Sequence, residues 1–118
     1  MAEISATIAT GESESNALDF RNVYEAVVSK PATLDATTVL GFKVSGSKNG
    51  TFVTLYDDTG TLVYITVSLT AVQALYLPRK VMSNNFVKLF TCTTGGVAVA
   101  QTGAKVFGGS MKRYDGKE

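Results

Sequence analysis

The stretch Leu40 to Val67, L-G-F-K-V-S-G-S-K-N-G-T-F-V-T-L-Y-D-D-T-G-T-L-V-Y-I-T-V, decides the fold. Leu40, Phe42 and Val44 alternate with Gly41, Lys43 and Ser45, the period of two that sets one row of side chains on a core face. Gly46-Ser47-Lys48-Asn49-Gly50 is turn chemistry, and Thr51 to Tyr56 is the returning strand. Asp57-Asp58-Thr59-Gly60 turns again, with Gly at the left-handed position of a hairpin loop. Thr61 to Val67 completes a three-strand meander. Its last strand is apolar on both faces: Val63, Ile65 and Val67 lie on one and Leu62 and Tyr64 on the other. Val53 and Leu55 oppose Phe52 and Tyr56 in the same way. Such strands are covered on both sides, by their own domain or by another subunit. Two bare faces would exceed the apolar patch a soluble monomer tolerates. The sequence therefore predicts a homo-oligomer, with Tyr64, Leu62, Phe52 and Tyr56 as candidate interface residues.

Working outward, Ile4, Ala6 and Ile8 alternate with Glu3, Ser5 and Thr7 as a first strand, followed by the polar turn Thr10 to Ser15. A short strand is expected around Ala17 to Phe20 and another over Val23 to Lys30. The apolar spacing of the latter also suits one helical turn, but Pro31 holds Lys30 extended. Pro31 to Thr38 reads as a loop. Val72 to Leu77 is a strand stopped by Pro78, Arg79 to Asn85 a polar connection, and Phe86 to Cys92 a strand. Val97 to Phe107 holds one or two last strands around Gly103. Eight or nine short antiparallel strands, with no helix between them, indicate an all-β sandwich or barrel. Its core is expected to include Leu40, Phe42, Val44, Leu55, Val63, Ile65, Val87 and Leu89. The domain is expected over residues 1–109. Residues 110–118 then read as a short charged mobile tail, in which Met111 and Tyr114 are candidate anchors on a partner and Lys112 and Arg113 meet acidic surface.

With 118 residues the chain is one domain, long enough to bury a core without staples. It has 14 Val and 15 Thr, residues stiff at χ1 that suit pleated surfaces. Charge is nearly balanced, with 11 basic and 10 acidic residues and no basic block, which argues against a nucleic-acid partner. The single Cys92 excludes an intrachain disulfide, and the absence of His removes the usual activator of a catalytic thiol. Cys92 reads as a buried strand residue. No signal peptide is readable at the start, and no apolar run approaches the roughly 20 residues of a membrane span. The expectation is a soluble protein made in a reducing cytoplasm, with no membrane partner and no cofactor.

Two motifs invite chemistry. Asp58-Thr59-Gly60 resembles the D-T-G of retroviral-type aspartic proteases, in which two carboxylates of a dimer share a proton. The likeness fails at its flanks, where Asp57 and Thr61 replace the expected small or apolar residues, and the late Val106-Phe107-Gly108 precedes a charged tail. A polar hairpin turn is the better reading, so no catalytic residue is expected. Asp57, Asp58 and Asp35 lack the spacing that would supply the six to eight oxygens of a calcium site. The tyrosines could stack on sugar rings, but the lack of Trp favours core or interface roles.

Phe42 to Thr93 carries a broader likeness. F-K-V-S-G-S-K-N-G-T-F-V-T-L-Y-D-D-T-G-T-L-V, then A-L-Y-L-P, then N-F-V-K-L-F-T-C-T-T-G-G resembles small virion-associated proteins of tailed bacteriophages, and the opening S-A-T-I-A-T-G-E-S-E-S-N-A-L-D does too. The resemblance implies a jelly-roll-like sandwich on the phage particle, a non-enzymatic decoration or cement protein that binds the major capsid protein on the outer capsid surface. Capsid lattices present threefold positions, so a homotrimer is the oligomer it favours. The alternative is a tail- or fibre-associated recognition module for host-surface glycan.

Overall fold

The structure, a computed structural model, describes residues 2–114. Nine strands form: β1 (Ala2–Ile8), β2 (Leu18–Asp19), β3 (Val23–Lys30), β4 (Val39–Ser45), β5 (Val53–Thr54), β6 (Tyr64–Ile65), β7 (Gln73–Tyr76), β8 (Phe86–Cys92) and β9 (Lys105–Arg113). A short 3-10 helix spans Arg79–Ser83, and the described residues hold no α-helix. One sheet runs β1-β9-β3-β7 and the other β2-β8-β4-β5. In the second, β6 pairs the N-terminal half of β4 while β5 pairs its C-terminal half. All pairings are antiparallel, and the two sheets pack face to face as a β-sandwich.

The alternation in β4 sets the register. Leu40, Phe42 and Val44 face Thr91, Leu89 and Val87 of β8, and the apolar members of that row fill the space between the sheets. Ile4, Ala6, Ile8, Val28, Phe107 and Met111 meet them from the first sheet. Leu40, Phe42, Val63, Val87 and Leu89 are buried, while Val44, Leu55 and Ile65 pack half-buried against them. The outer row of β4 and β8 makes a second, smaller cluster: Val39, Phe90 and Cys92 with Leu62, flanked by Tyr64. Gly41 lies in that row because a Cβ there would come within 2.8 Å of Cys92 Sγ.

Three expectations change. The three-strand meander does not form: Thr51 to Tyr56 is laddered only at Val53 and Thr54 and Thr61 to Val67 only at Tyr64 and Ile65, and both pieces pair β4. Val97 to Ala104 contributes a single bridge, Ala98 to Cys92, and the final strand begins at Lys105. The expected tail beginning at Ser110 is also corrected: Ser110 to Arg113 belong to β9, between β1 and β3, and the sandwich extends through them. Phe107, Gly109 and Met111 form one inward row, and the glycine disguises its period. Gly109 has φ +143, and a Cβ there would lie 2.0 Å from the Val27 carbonyl oxygen, so only glycine allows β3 this close. Residues 115–118 of that expected tail lie outside the described residues.

Buried polar groups tie the loops at one end. Gln101, 1% exposed, accepts from the Asp35 N–H at 3.0 Å and donates to Thr38 Oγ1 and the Val99 carbonyl. Its own backbone joins Gly11 and Glu12. Lys30, equally buried at the end of β3, donates from Nζ to the carbonyls of Pro31 and Ala71, and burial lowers its pKa.

Candidate functional site

The six expected interface residues separate into three groups. Leu62 is 8% and Met111 6% exposed, one inside the second cluster and the other in the main core. Both are corrected as contact residues, because the chain buries them itself. On the second apolar face of Thr61 to Val67, Leu62 packs against Val39 of β4 and Phe90 and Cys92 of β8 in the same chain, and Tyr64 is left half-buried. Tyr64 and Phe52 are half-buried, with Lys88 Nζ standing 4.7 Å from the centre of the Phe52 ring. Tyr56 and Tyr114 are exposed, Tyr114 at 79%.

Asp57-Asp58-Thr59-Gly60 is a hydrogen-bonded turn centred on Asp57. Its Oδ1 accepts from Thr59 Oγ1 at 2.7 Å, the Thr59 N–H at 2.9 Å and the Thr61 N–H at 3.0 Å, and Gly60 sits at φ +79. These bonds, led by the Thr59 hydroxyl, hold the Asp57 carboxyl down to about 2. Asp58 is exposed beside it. Among the described residues no three Cys, Asp or Glu side chains gather as a metal-binding group. Burial pushes the Cys92 thiol up, the reverse of what a nucleophile needs.

The surface is hollowed around Pro78 to Asn85. Four shallow depressions border this segment. The largest, about 380 Å³, lies between Ser83–Asn85 and the end of β4. Two, of about 320 and 330 Å³, flank the Asp57–Lys80 ion pair, with Tyr64 in one and Tyr56 in the other. The fourth, about 210 Å³, is lined by Val23, Tyr24, Arg79, Met82, Ser83 and Tyr114. Here the backbone departs from regularity. Asn22 adopts φ +64, and the pairing of β3 with β9 slips between Val23 and Glu25, leaving Tyr24 as the extra residue of a bulge. A bulge re-aims side chains. Tyr24 thereby points outward next to Tyr114, ring centres 5.0 Å apart at 43°.

Hydrogen bonds fix this corner. The Tyr114 N–H donates to the Asn22 carbonyl at 2.7 Å, and the Arg113 guanidinium donates to the Arg21 and Asp19 carbonyls. Arg21 holds Asp19 bidentately, which pulls the Asp19 carboxyl down to about 2 and raises the Arg21 guanidinium. Glu25 is 3.4 Å from Lys112. Arg79 is exposed, and no described carboxylate lies within ion-pair distance of it. The corner thus offers two exposed rings, a methionine and a guanidinium with no ion-pair partner among the described residues, groups suited to recognition.

Sequence reasoning found Tyr114 but missed Tyr24, Arg79 and Met82. A signal was present: Val23 and Ala26 are three apart where a regular strand would place its core residues two apart. That step is the mark of the bulge, and it also gave the segment its helical ambiguity. No protein-family model, curated protein or solved structure matches the chain.

Proposed function

We propose that the chain is a non-enzymatic structural protein of a tailed-bacteriophage particle, a decoration or cement protein bound to the outer capsid surface. The observation that carries this reading is the sheet order. With β5 and β6 sharing one edge of β4, the two sheets run first-last-third-seventh and second-eighth-fourth, which supports a jelly-roll winding. That architecture recurs in viral capsid and lectin domains. A fold hosts many functions, so the weight falls equally on the phage-like residues of Phe42 to Thr93, which build β4, its turns and β8. The protein would stabilise the shell through contacts with the major capsid protein repeated over a lattice, where avidity replaces a strong single interface.

A homotrimer on threefold lattice positions fits this role. Support for self-association now rests on exposed Tyr76 and Val106 on the outer face of the first sheet, at 73% and 60% exposure, and on exposed Tyr56 and half-buried Tyr64 at the β6 side of the second sheet. Quantitative mass spectrometry of purified particles tests the role: hundreds of copies per particle are expected, and a dozen or fewer would place the protein on a tail or fibre. Light scattering of the purified protein tests the trimer, which a monomer at micromolar concentration would overturn.

A further inference from the structure

The Tyr24–Tyr114 corner has the attributes of a docking site, and its charge identifies the occupant. Arg79 lines it, and Lys80, Lys112, Arg113 and Arg21 lie nearby on the neighbouring segments, against three carboxylates, Asp57, Glu25 and Asp19. All three are already engaged, Asp57 with its own turn and Lys80, Glu25 with Lys112 and Asp19 with Arg21. Arg113 is spent on backbone carbonyls, while Arg79 makes no ion pair with a described carboxylate. Guanidinium next to exposed tyrosines suits a carboxylate followed by an apolar side chain, since Arg binds carboxylate bidentately and a Tyr pair offers rigid, half-polar contact area. The bulge and the left-handed Asn22 bring the two rings together at the surface, where a regular strand would have spaced them apart.

We propose that the cleft lined by Tyr24, Tyr114, Met82 and Arg79 docks an acidic segment of a partner protein, one carboxylate pairing with Arg79 and a neighbouring apolar side chain lying against the tyrosines. This rests on the particle reading only in taking the partner to be a protein.

The test is a nuclear magnetic resonance titration of the full chain. Its probes are acetyl-Glu-Asp-Leu-Glu-Asp-amide, the matching Lys-Lys-Leu-Lys-Lys peptide and a galacturonic acid oligomer. The acidic peptide is expected to shift the Tyr24, Tyr114 and Arg79 side-chain signals, with affinity falling as salt rises. Arg79→Glu, on an exposed residue, should keep the spectrum dispersed and weaken binding by at least about tenfold, and Tyr114→Ala should weaken it as well. Binding of the oligomer alone would overturn the proposal in favour of a glycan site. Absence of acidic-peptide shifts, equal shifts with the basic peptide, or undiminished binding by Arg79→Glu would each overturn it too. Particle copy number is measured separately, so the failure of either reading leaves the other standing. Hundreds of copies with an inert cleft would sink only the docking site, and a working cleft on a protein absent from capsids would sink only the decoration role.

Discussion

At the scale of single residues, adjacent aspartates behave differently. Asp57 accepts three hydrogen bonds within its turn, while Asp58 is exposed. Asp58→Asn should therefore leave the melting temperature unchanged, and Asp57→Ala should lower it. The acid limb of stability follows from the same geometry. Asp57 and Asp19 both titrate at about 2 in the folded chain, below the ordinary 3.8. The unfolded chain thus takes up protons first as pH falls. The stabilisation these carboxylates give is present above about pH 4 and is lost between there and about pH 2. Thermal melts across that window should show the fall, and Asp57→Ala should make it shallower. A fall of equal depth in the variant would remove Asp57 as a cause. Gln101 is the residue least readable from sequence. A glutamine between Ala100 and Thr102 gives no sign that its amide will be buried among three loops.

At the scale of elements, β9 and β1 carry the argument. Gly109 lets β3 and β9 approach, and any side chain there meets both the Val27 carbonyl and an unfavourable φ. Gly109→Ala should destabilise by at least about 1–3 kcal/mol from backbone strain alone, measured by urea unfolding. The first strand lies at a sheet edge, where unpaired backbone groups invite another chain. Asn16 covers part of that edge with its amide: Oδ1 accepts the Thr7 N–H at 2.8 Å and Nδ2 donates to the Ser5 carbonyl at 3.1 Å. The side chain stands in for a neighbouring strand's peptide group. Asn16→Ala should speed hydrogen exchange at the Thr7 amide and raise association on concentration. Unaltered exchange would show that the amide protects nothing. Neither device was legible, because a glycine and an asparagine carry no hydrophobic period.

At the scale of the whole molecule, the smaller cluster decides how Leu62, on the second apolar face of Thr61 to Val67, is covered. Leu62→Ala should lower the unfolding free energy by about 2–5 kcal/mol and leave the light-scattering mass unchanged, since its neighbours Val39, Phe90 and Cys92 belong to the same chain. A change of mass without loss of stability would return Leu62 to an interface. The sequence by itself determined the all-β class, the strands over Leu40 to Ser45 and Phe86 to Cys92, the turn at Gly60 and most of the core. Period two and turn chemistry are local, and a few residues suffice to express them. Only the tertiary structure decided which of two apolar faces a strand turns to its own chain, that Met111 lies in the core, and that Tyr24, Arg79 and Tyr114 meet at one corner. Those outcomes depend on which strands become neighbours, a matter of pairings distant in sequence that no local pattern records.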